Sequence, residues 1–322
     1  MKPCFVGFDT SNYTTSAAVC DGEGKIVANL KTPLPVKEGD RGLRQSEAVF
    51  EHVRNLPPLT ERLREALEGY SPVAVGVSVT PRDAEGSYMP CFLSGKSAAY
   101  AFGAGAGVPV YEFSHQNGHI MAALFSSGRL DLLGVERFLA FHVSGGTTEA
   151  LLVRPRIGGF DVQLVGNTAD INAGQAIDRV GVAMGMRFPC GAELERCAAE
   201  YSGRLPSHKV CVRDGICNLS GVENIAKKIF SDTGDKSRAA AFVFDFLGRT
   251  LEAMCSQIMD EHGRMPVVFA GGVMSNKLMR QRLSNAFDAH FSEPQFSADN
   301  AAGIALLCFE KHKFVSVENI EL

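Results

Sequence analysis

The strongest constraint on the fold of this chain is a pattern that occurs twice: an apolar strand, a turn rich in Ser, Thr and Gly, and a returning strand. The strands of the two copies lie at 5–9, 16–20, 138–143 and 149–153. In the first copy the hairpin signal Asp21-Gly22 leads to a third strand at 25–30. Because the pattern restarts within a chain of 322 residues, it predicts two related α/β lobes around a nucleotide cleft.

Hydrophobic periodicity places the other elements. Helices are expected at 44–69 (interrupted by Pro57-Pro58), 94–103, 118–125, 275–286 and from 300 on, and strands at 73–79, 109–111 and 267–270. The second half is otherwise expected to be helical, and the polar stretch 203–236 is predicted to be a mobile insertion. We predict an N-terminal lobe over 1–125, on which a helix at about 300–322 packs, and a C-terminal lobe over 126–299.

Composition excludes several classes of protein. A net charge of −4 and a pI of about 6.1 lack the overall signature of a stand-alone nucleic-acid binder. There is no apolar run long enough to cross a membrane, and the first residues do not resemble a secretory signal. The nine cysteines include no C-x-x-C pair, so reduced and mostly buried thiols in a cytoplasm are expected, and cysteine-bound zinc is not.

His115 and His119 are candidate metal ligands. Residues four apart at a helix start face the same side and can share one divalent ion, and Gly118 permits close approach. Asp299, which precedes a predicted helix, is the candidate third ligand. The alternative is one partly buried histidine beside one exposed histidine.

Two glycine turns follow apolar strands, at 143–148 and 270–273, and their backbone N–H groups could approach phosphate. Ordinary tight turns are the alternative. Asp9-Thr10-Ser11 could touch a phosphate or its cation, or could form a hairpin turn with side-chain-to-backbone bonds. Asp178, in mid-helix, could bind ribose hydroxyls or pair with Arg179.

Together these segments resemble the tRNA threonylcarbamoyladenosine transferase family (bacterial TsaD and its archaeal and eukaryotic relatives), and the match runs through nearly the whole chain in the family's order. The matching segments are Gly7-Phe8-Asp9-Thr10-Ser11, Val108-Pro109-Val110, His115-Gln116-Asn117-Gly118-His119-Ile120, Val143-Ser144-Gly145-Gly146, Ala173-Gly174-Gln175-Ala176-Ile177-Asp178-Arg179, Pro189-Cys190-Gly191, Leu219-Ser220-Gly221, Ala270-Gly271-Gly272-Val273-Met274-Ser275-Asn276 and Asp299-Asn300. The resemblance implies a two-lobed, actin-like and sugar-kinase-like ATPase fold with duplicated ribonuclease-H-like lobes and a central nucleotide cleft.

The resemblance also implies a reaction and its cofactors. A threonylcarbamoyl group would move from threonylcarbamoyl-AMP to N6 of adenosine 37 in tRNA, assisted by one iron or zinc ion on His115, His119 and Asp299. Asp9 and Ser11 are the candidate catalytic residues. The residues implied to hold the adenylate, or ATP with Mg²⁺, are His142, Val143, Ser144, Gly145, Gly146, Asp178, Gly191, Glu195, Gly271, Gly272 and Asn276. Contact with tRNA would come through a complex with a TsaB-like or other protein partner.

The chain departs from the family in four places. Asn12-Tyr13-Thr14 replaces an acidic pair, the segment from Thr80 to Pro90 replaces a glycine-rich loop, Thr147 replaces a histidine, and Cys190 replaces a glycine. These changes affect the acyl and acceptor side. Two alternatives therefore stay open: a carbamoyltransferase that uses carbamoyl-AMP on a small-molecule acceptor, and a non-catalytic nucleotide-binding paralogue that acts as a scaffold.

Overall fold

The structure is a computed structural model that describes residues 1–11, 13–35 and 43–318, so Asn12 and the last four residues lie outside the described part. By backbone contacts the chain divides into two units. Unit 1 comprises Met1–Val135, Arg154–Asp161 and Gln295–Leu322, and unit 2 comprises Glu136–Val153 and Val162–Pro294. The domain limits expected from the sequence stay a prediction.

Unit 1 is built on a five-stranded sheet in the order β3-β2-β1-β4-β5. Its elements are β1 (Lys2–Asp9), β2 (Thr14–Asp21), β3 (Ile26–Pro33), α1 (Gln45–Ala66), β4 (Tyr70–Thr80), α2 (Phe92–Ala106), β5 (Val110–Ser114), α3 (His115–Ser126), the short α9 (Pro294–Ser297) and α10 (Ala302–Glu318). Strands β1, β2 and β3 pair antiparallel, whereas β4 runs parallel to β1 and β5 runs parallel to β4. The inner six residues of β1 are buried without alternation, as expected of a strand covered on both faces.

Unit 2 repeats this topology in its own sheet. Its elements are β6 (Phe138–Val143), β7 (Thr148–Arg156), β8 (Gly159–Thr168), α4 (Ala173–Ala183), α5 (Gly191–Ala199), β9 (Cys211–Arg213), β10 (Ile216–Asn218), α6 (Ser220–Thr233), α7 (Lys236–His262), β11 (Val267–Ala270), α8 (Lys277–Ala286) and β12 (Ala289–Phe291). The hairpin end that joins β7 to β8, Arg154–Asp161, belongs to unit 1. The sheet order is β12-β11-β6-β7-β8-β10-β9. Its run β8-β7-β6-β11-β12 matches β3-β2-β1-β4-β5 strand for strand, which confirms the duplication predicted from the two hairpins.

Helix α10 lies flush against the first sheet and against α3 because glycines remove the side chains between them. A Cβ on Gly7 of β1 would stand 2.5 Å from the backbone nitrogen of Ala305. A Cβ on Gly303 of α10 would overlap the carbonyl oxygen of Gly118 in α3. These contacts fix the start of α10 beside the start of α3, and the candidate metal ligands lie at those two helix starts.

The structure corrects the predicted break at Pro57-Pro58, because α1 runs through both prolines. Proline leaves the carbonyls of residues 53 and 54 without their helical donors. Both prolines, Val53 and Arg54 are exposed, so water can satisfy those carbonyls, while His52 and Leu59 on the other face stay buried.

The expectation of a single further strand in the second half is also wrong, since β8, β9, β10 and β12 lie there in addition to β11. Strand β8 is largely half-buried or exposed, and the other three have only three residues each, so none has a strong apolar run. The segment 203–236 contains β9, β10 and α6; its mobility stays a prediction.

Seven of the nine cysteines are buried, in agreement with their expected role as small apolar side chains. Among the described residues, no helix has both the length and the apolar composition needed to cross a membrane.

We predict that Gly303→Ala destabilises the protein by about 2–3 kcal/mol, because the new methyl group would displace backbone rather than a flexible side chain. The matched control is Gly105→Ala in α2, where a Cβ meets no atom within 4 Å. Helix propensity alone should make that control more stable by about 0.5–1 kcal/mol. Thermal and urea unfolding would measure both changes, and equal stability of the two variants would contradict the proposed packing constraint.

Candidate functional site

The first turn of α3 presents both candidate histidines on one face. Ser114 caps the helix by accepting a hydrogen bond from the backbone N–H of Asn117 at 3.3 Å, so α3 begins at His115 rather than at Gly118 as expected. The ring centroids of His115 and His119 are 4.2 Å apart. Their side chains are 11% and 18% exposed, so neither is the exposed histidine of the alternative interpretation.

Asp299 reaches the same point from the segment that precedes α10. Its Oδ1 lies 3.4 Å from Nε2 of His115 and 3.3 Å from Nε2 of His119. One ligand atom from each of the three residues falls within 4.8 Å of the others. The structure therefore brings together the three residues that the sequence nominated as metal ligands.

The spacing of these atoms fits a metal ion. Two atoms that each bind a tetrahedral ion at about 2.1 Å are separated by about 3.4 Å. The two histidine-to-Asp299 distances of 3.4 and 3.3 Å match that separation. Two imidazoles and one carboxylate suit zinc or iron and leave a coordination position for a substrate oxygen.

Asp9 stands behind His115 and fixes its orientation. Oδ2 of Asp9 lies 2.7 Å from Nδ1 of His115, which directs Nε2 toward Asp299. Oδ1 accepts hydrogen bonds from the backbone N–H of Ser11 at 2.8 Å and from its hydroxyl at 2.5 Å. Sequence reasoning missed this partnership. The only signal was an acid that ends a buried strand, and nothing local connects it with a histidine so distant in sequence.

The electrostatics of the cluster favour a cation. Burial alone would lower the pKa of the His115 imidazole, but the charges of Asp9 and Asp299 and the hydrogen bonds to them raise it to about 10. Burial would raise the pKa of Asp299, but hydrogen bonds from His115 and His119 hold it well below its usual range. Carboxylates thus flank His115 on both sides in a nearly dry site, which suits a proton or a metal ion.

Unit 2 carries a second constellation, at the carboxyl ends of β6 and β11. These strands pair in parallel with Ala270 opposite His142, so the turns that follow them are neighbours. Gly271 has φ +99°, and a Cβ there would overlap the carbonyl oxygen of Val143, so only glycine lets the two chains approach this closely.

The turn after β6 also meets the start of α4. The backbone N–H of Gly174 donates to the carbonyl of Ser144 at 3.1 Å, and a Cβ on Gly174 would lie 2.7 Å from Cα of Gly145. Around Gly145, Gly146 and Gly272, by contrast, a Cβ would meet no atom within 4 Å. Two glycine turns and a helix N-terminus therefore converge on open space, an arrangement suited to phosphate.

Four further candidates lie near the starts of α5 and α8. Asp178 Oδ1 accepts from the backbone N–H of Cys190 at 2.8 Å, directly before Gly191, whereas its neighbour Arg179 pairs with Glu223. Glu195 Oε1 accepts from the backbone N–H of Lys277 at 2.8 Å. Asn276 caps α8 through Oδ1, and its buried Nδ2 has no hydrogen-bond partner in the described residues.

All predicted metal ligands belong to unit 1, and all predicted nucleotide-binding residues belong to unit 2. A family model described as TsaD, tRNA N6-adenosine threonylcarbamoyltransferase, matches residues 36–306. The chain belongs to the TsaD family. The resemblance drawn from the motifs is thereby confirmed, and the family's description is that of a transferase.

Solved structures with the same two-lobed ATPase fold extend beyond the TsaD family. Full-length HypF in its phosphate- and nucleotide-bound form has a TM-score of 0.59 at 14% identity; the match covers 97% of this chain and 55% of HypF. The activator of 2-hydroxyisocaproyl-CoA dehydratase from Clostridium difficile, with bound ADPNP, has a TM-score of 0.53 at 15% identity; the match covers 98% of this chain and 97% of the activator. A ROK family glucokinase from Streptomyces griseus, in complex with glucose and AMPPNP, has a TM-score of 0.52 at 14% identity; the match covers 95% of this chain and 98% of the glucokinase.

We predict that Asp9→Asn weakens binding of Zn²⁺ or Fe²⁺ by roughly 10- to 100-fold, because the amide holds the His115 ring less firmly and withdraws a negative charge from it. Competition against a chromophoric chelator would measure the affinity. Asp131→Asn, an acid of unit 1 that pairs with Arg129, is the control and should bind as the wild type does. Unchanged affinity in Asp9→Asn would remove Asp9 from the site.

Gly174→Ala should weaken nucleotide binding by at least about tenfold, because its methyl group would push the turn at Gly145 out of place. Gly221→Ala in α6, where a Cβ meets nothing within 4 Å, is the control. Calorimetric titration with a non-hydrolysable ATP analogue gives both affinities. Binding that is equally weak in the control would point to general damage to unit 2 instead.

Proposed function

We propose that this protein is a metal-assisted acyltransferase that moves a threonylcarbamoyl group from threonylcarbamoyl-AMP to N6 of adenosine 37 in tRNA. The single observation that carries the proposal is the convergence of His115, His119 and Asp299 within 4.8 Å. Membership of the TsaD family supports the same chemistry.

The proposed metal ligands are Nε2 of His115, Nε2 of His119 and Oδ1 of Asp299. When bound there, a divalent ion, iron or zinc, supplies Lewis-acid charge to the acyl phosphate and the carbamoyl oxygen. In the transfer N6 would form a bond to the carbamoyl carbon and release one proton to water, while the bond between that carbon and the phosphate oxygen breaks and its electron pair leaves with AMP.

Asp9 and Ser11 act in this proposal through His115 rather than on the substrate. Both carboxylate oxygens of Asp9 already accept hydrogen bonds, and both residues are fully buried. Their task is to hold the His115 ring so that its second nitrogen points at the ion.

The adenylate is proposed to bind unit 2. The backbone N–H groups of Gly145, Gly271 and Gly272 would face its phosphate, and the N-terminus of α4 would add a favourable dipole. Ser144 and Gly146 shape the turn, because their N–H groups donate to the Thr147 carbonyl and to Oγ of Ser144. The remaining candidates would hold the ribose and adenine or line the pocket: His142, Val143, Asp178, Gly191, Glu195 and Asn276. If ATP binds there instead, Mg²⁺ accompanies its phosphates.

We propose that tRNA is bound through a complex with a TsaB-like or other protein partner. The net charge of −4 supports this, because phosphate contacts depend on lysine and arginine.

The test is a reconstituted reaction with candidate partners, threonylcarbamoyl-AMP and unmodified tRNA, read by mass spectrometry of the nucleosides. We expect the modified nucleoside from the wild type and from the control Cys211→Ser, whose thiol is exposed in unit 2. The double variant His115→Ala with His119→Ala should form at least about 1,000-fold less product if the ion stabilises the transition state. A wild-type protein that binds its metal but forms no modified nucleoside would contradict the proposal.

A second candidate is a carbamoyltransferase that uses carbamoyl-AMP on a small acceptor. The segment from Thr80 to Pro90 favours it, because it replaces the family's glycine-rich loop with a charged one that includes Arg82 and Asp83. Formation of carbamoyl-AMP from carbamoyl phosphate, water and ATP, with release of orthophosphate and pyrophosphate, would support it. Tight nucleotide binding without turnover of either kind would instead point to a scaffold, which the replacements at Asn12-Tyr13-Thr14 and Thr147 favour.

A further inference from the structure

Asn117 is a buried polar residue that supplies no ligand atom to the proposed metal site. It is 2% exposed, and it lies in α3 between the two histidines. Its Nδ2 donates one hydrogen bond to Oδ2 of Asp83 at 2.5 Å and another to the hydroxyl oxygen of Ser114 at 2.8 Å. The two amide hydrogens are therefore donated to Ser114, which caps α3, and to Asp83, in a loop distant in sequence.

The same loop makes a second bond to the same helical turn. The backbone N–H of Gln116 donates to the carbonyl of Pro81 at 3.0 Å. N–H groups in the first turn of a helix have no acceptor within the helix. The loop therefore supplies an acceptor, the carbonyl of Pro81, for the N–H of Gln116. The Asp83 carboxylate also lies where the helix dipole favours negative charge.

Asp83 has a cationic neighbour on the hairpin between β7 and β8. Nη2 of Arg156 lies 3.3 Å from Oδ2 of Asp83, and Nε of Arg156 lies 2.8 Å from Oδ1 of Asp161. A Cβ on Gly159 of this hairpin would lie 3.4 Å from Oδ1 of Asn117, which is buried and has no hydrogen-bond partner in the described residues. The amide is thus enclosed, and its Nδ2 is bonded to the carboxylate of Asp83.

Helix geometry places the Asn117 side chain away from the candidate ligand atoms. Successive residues of an α-helix are about 100° apart, so a residue two positions from both histidines lies on the opposite side of the helix. Asn117 and Asp83 can position the two histidines through the backbone of the first turn. That turn carries His115 at its first position and His119 one turn later.

We propose that Asp83 and Asn117 are positioning residues of the metal centre, which hold the first turn of α3 in place from the side opposite to the ion. The inference rests on the metal site of the proposed function. It gives a structural role to the segment from Thr80 to Pro90, in which this chain departs from its family: the replaced loop is fastened to the metal-bearing helix by a side-chain bond and a backbone bond.

The test uses Co²⁺ as the probe, because its visible absorption reports ligand geometry as well as occupancy. Asp83→Ala and Asn117→Ala should each weaken Co²⁺ binding by roughly 10-fold, in the range seen when a group that orients a ligand is removed, and should change the spectrum at saturation. The double variant should bind no more weakly than Asn117→Ala alone, because that variant has already lost the bond to Asp83. Asp83→Asn keeps an acceptor oxygen and should restore both affinity and spectrum.

Asp161→Ala is the matched control, since it removes the other partner of Arg156 without touching Asn117. It should keep the wild-type spectrum and an affinity within about twofold. Three results would overturn the inference: wild-type affinity and spectrum in both alanine variants, equal losses in Asp161→Ala, or additive losses in the double variant. If the wild type itself binds no Co²⁺, the proposed metal centre fails and the positioning role fails with it.

Discussion

The contact between α10 and α3 is the constraint on which the cluster of His115, His119 and Asp299 depends. Helix axes approach this closely only where side chains are absent, and Gly303 faces the carbonyl of Gly118. That approach places the segment before α10, with Asp299, beside the helix start that carries His115 and His119. A second constraint acts from the other side, where buried Asp9 at the end of β1 holds the His115 ring. Backbone packing sets the distances, and one carboxylate sets the ring orientation.

The two units carry different polar groups at equivalent places in equivalent sheets. In unit 1 the first strand of the repeat ends at Asp9, beside the cluster. In unit 2 the corresponding strand β6 ends at Val143, and the turn Ser144–Thr147 follows. Carboxyl ends of parallel strands leave polar backbone groups at a sheet edge, where loops can be varied without loss of the core. The duplicated topology therefore offers one position twice, for imidazole and carboxylate in one unit and for backbone N–H groups in the other.

Local sequence was enough to predict the hairpins, the strand–turn segments and the pairing of His115 with His119 on one helix face, because each depends on a period, a turn residue or a spacing within a few residues. The role of these histidines and of Asp299 as metal ligands stays a prediction. It could not predict the continuity of α1 through Pro57-Pro58, since that depends on which face of the helix meets solvent. Strand β12 was missed because three half-buried residues make no pattern alone and form a strand only by pairing with β11. The partnership of Asp9 with His115 and the contact of Gly303 with α3 join distant segments, so they depend on tertiary approach.

The order of the ligands along the chain has a consequence for folding. His115 and His119 precede unit 2 in sequence, and Asp299 follows it. Closing a loop that contains a whole folding unit costs more chain entropy than closing a short one, although the cost grows only slowly with length. An ion held by all three residues would close that loop, and its binding free energy would add to the stability of the native state alone. During synthesis the complete ligand set exists only after the ribosome has passed unit 2, so the metal would be a late and reversible cross-link that joins α3 to the start of α10.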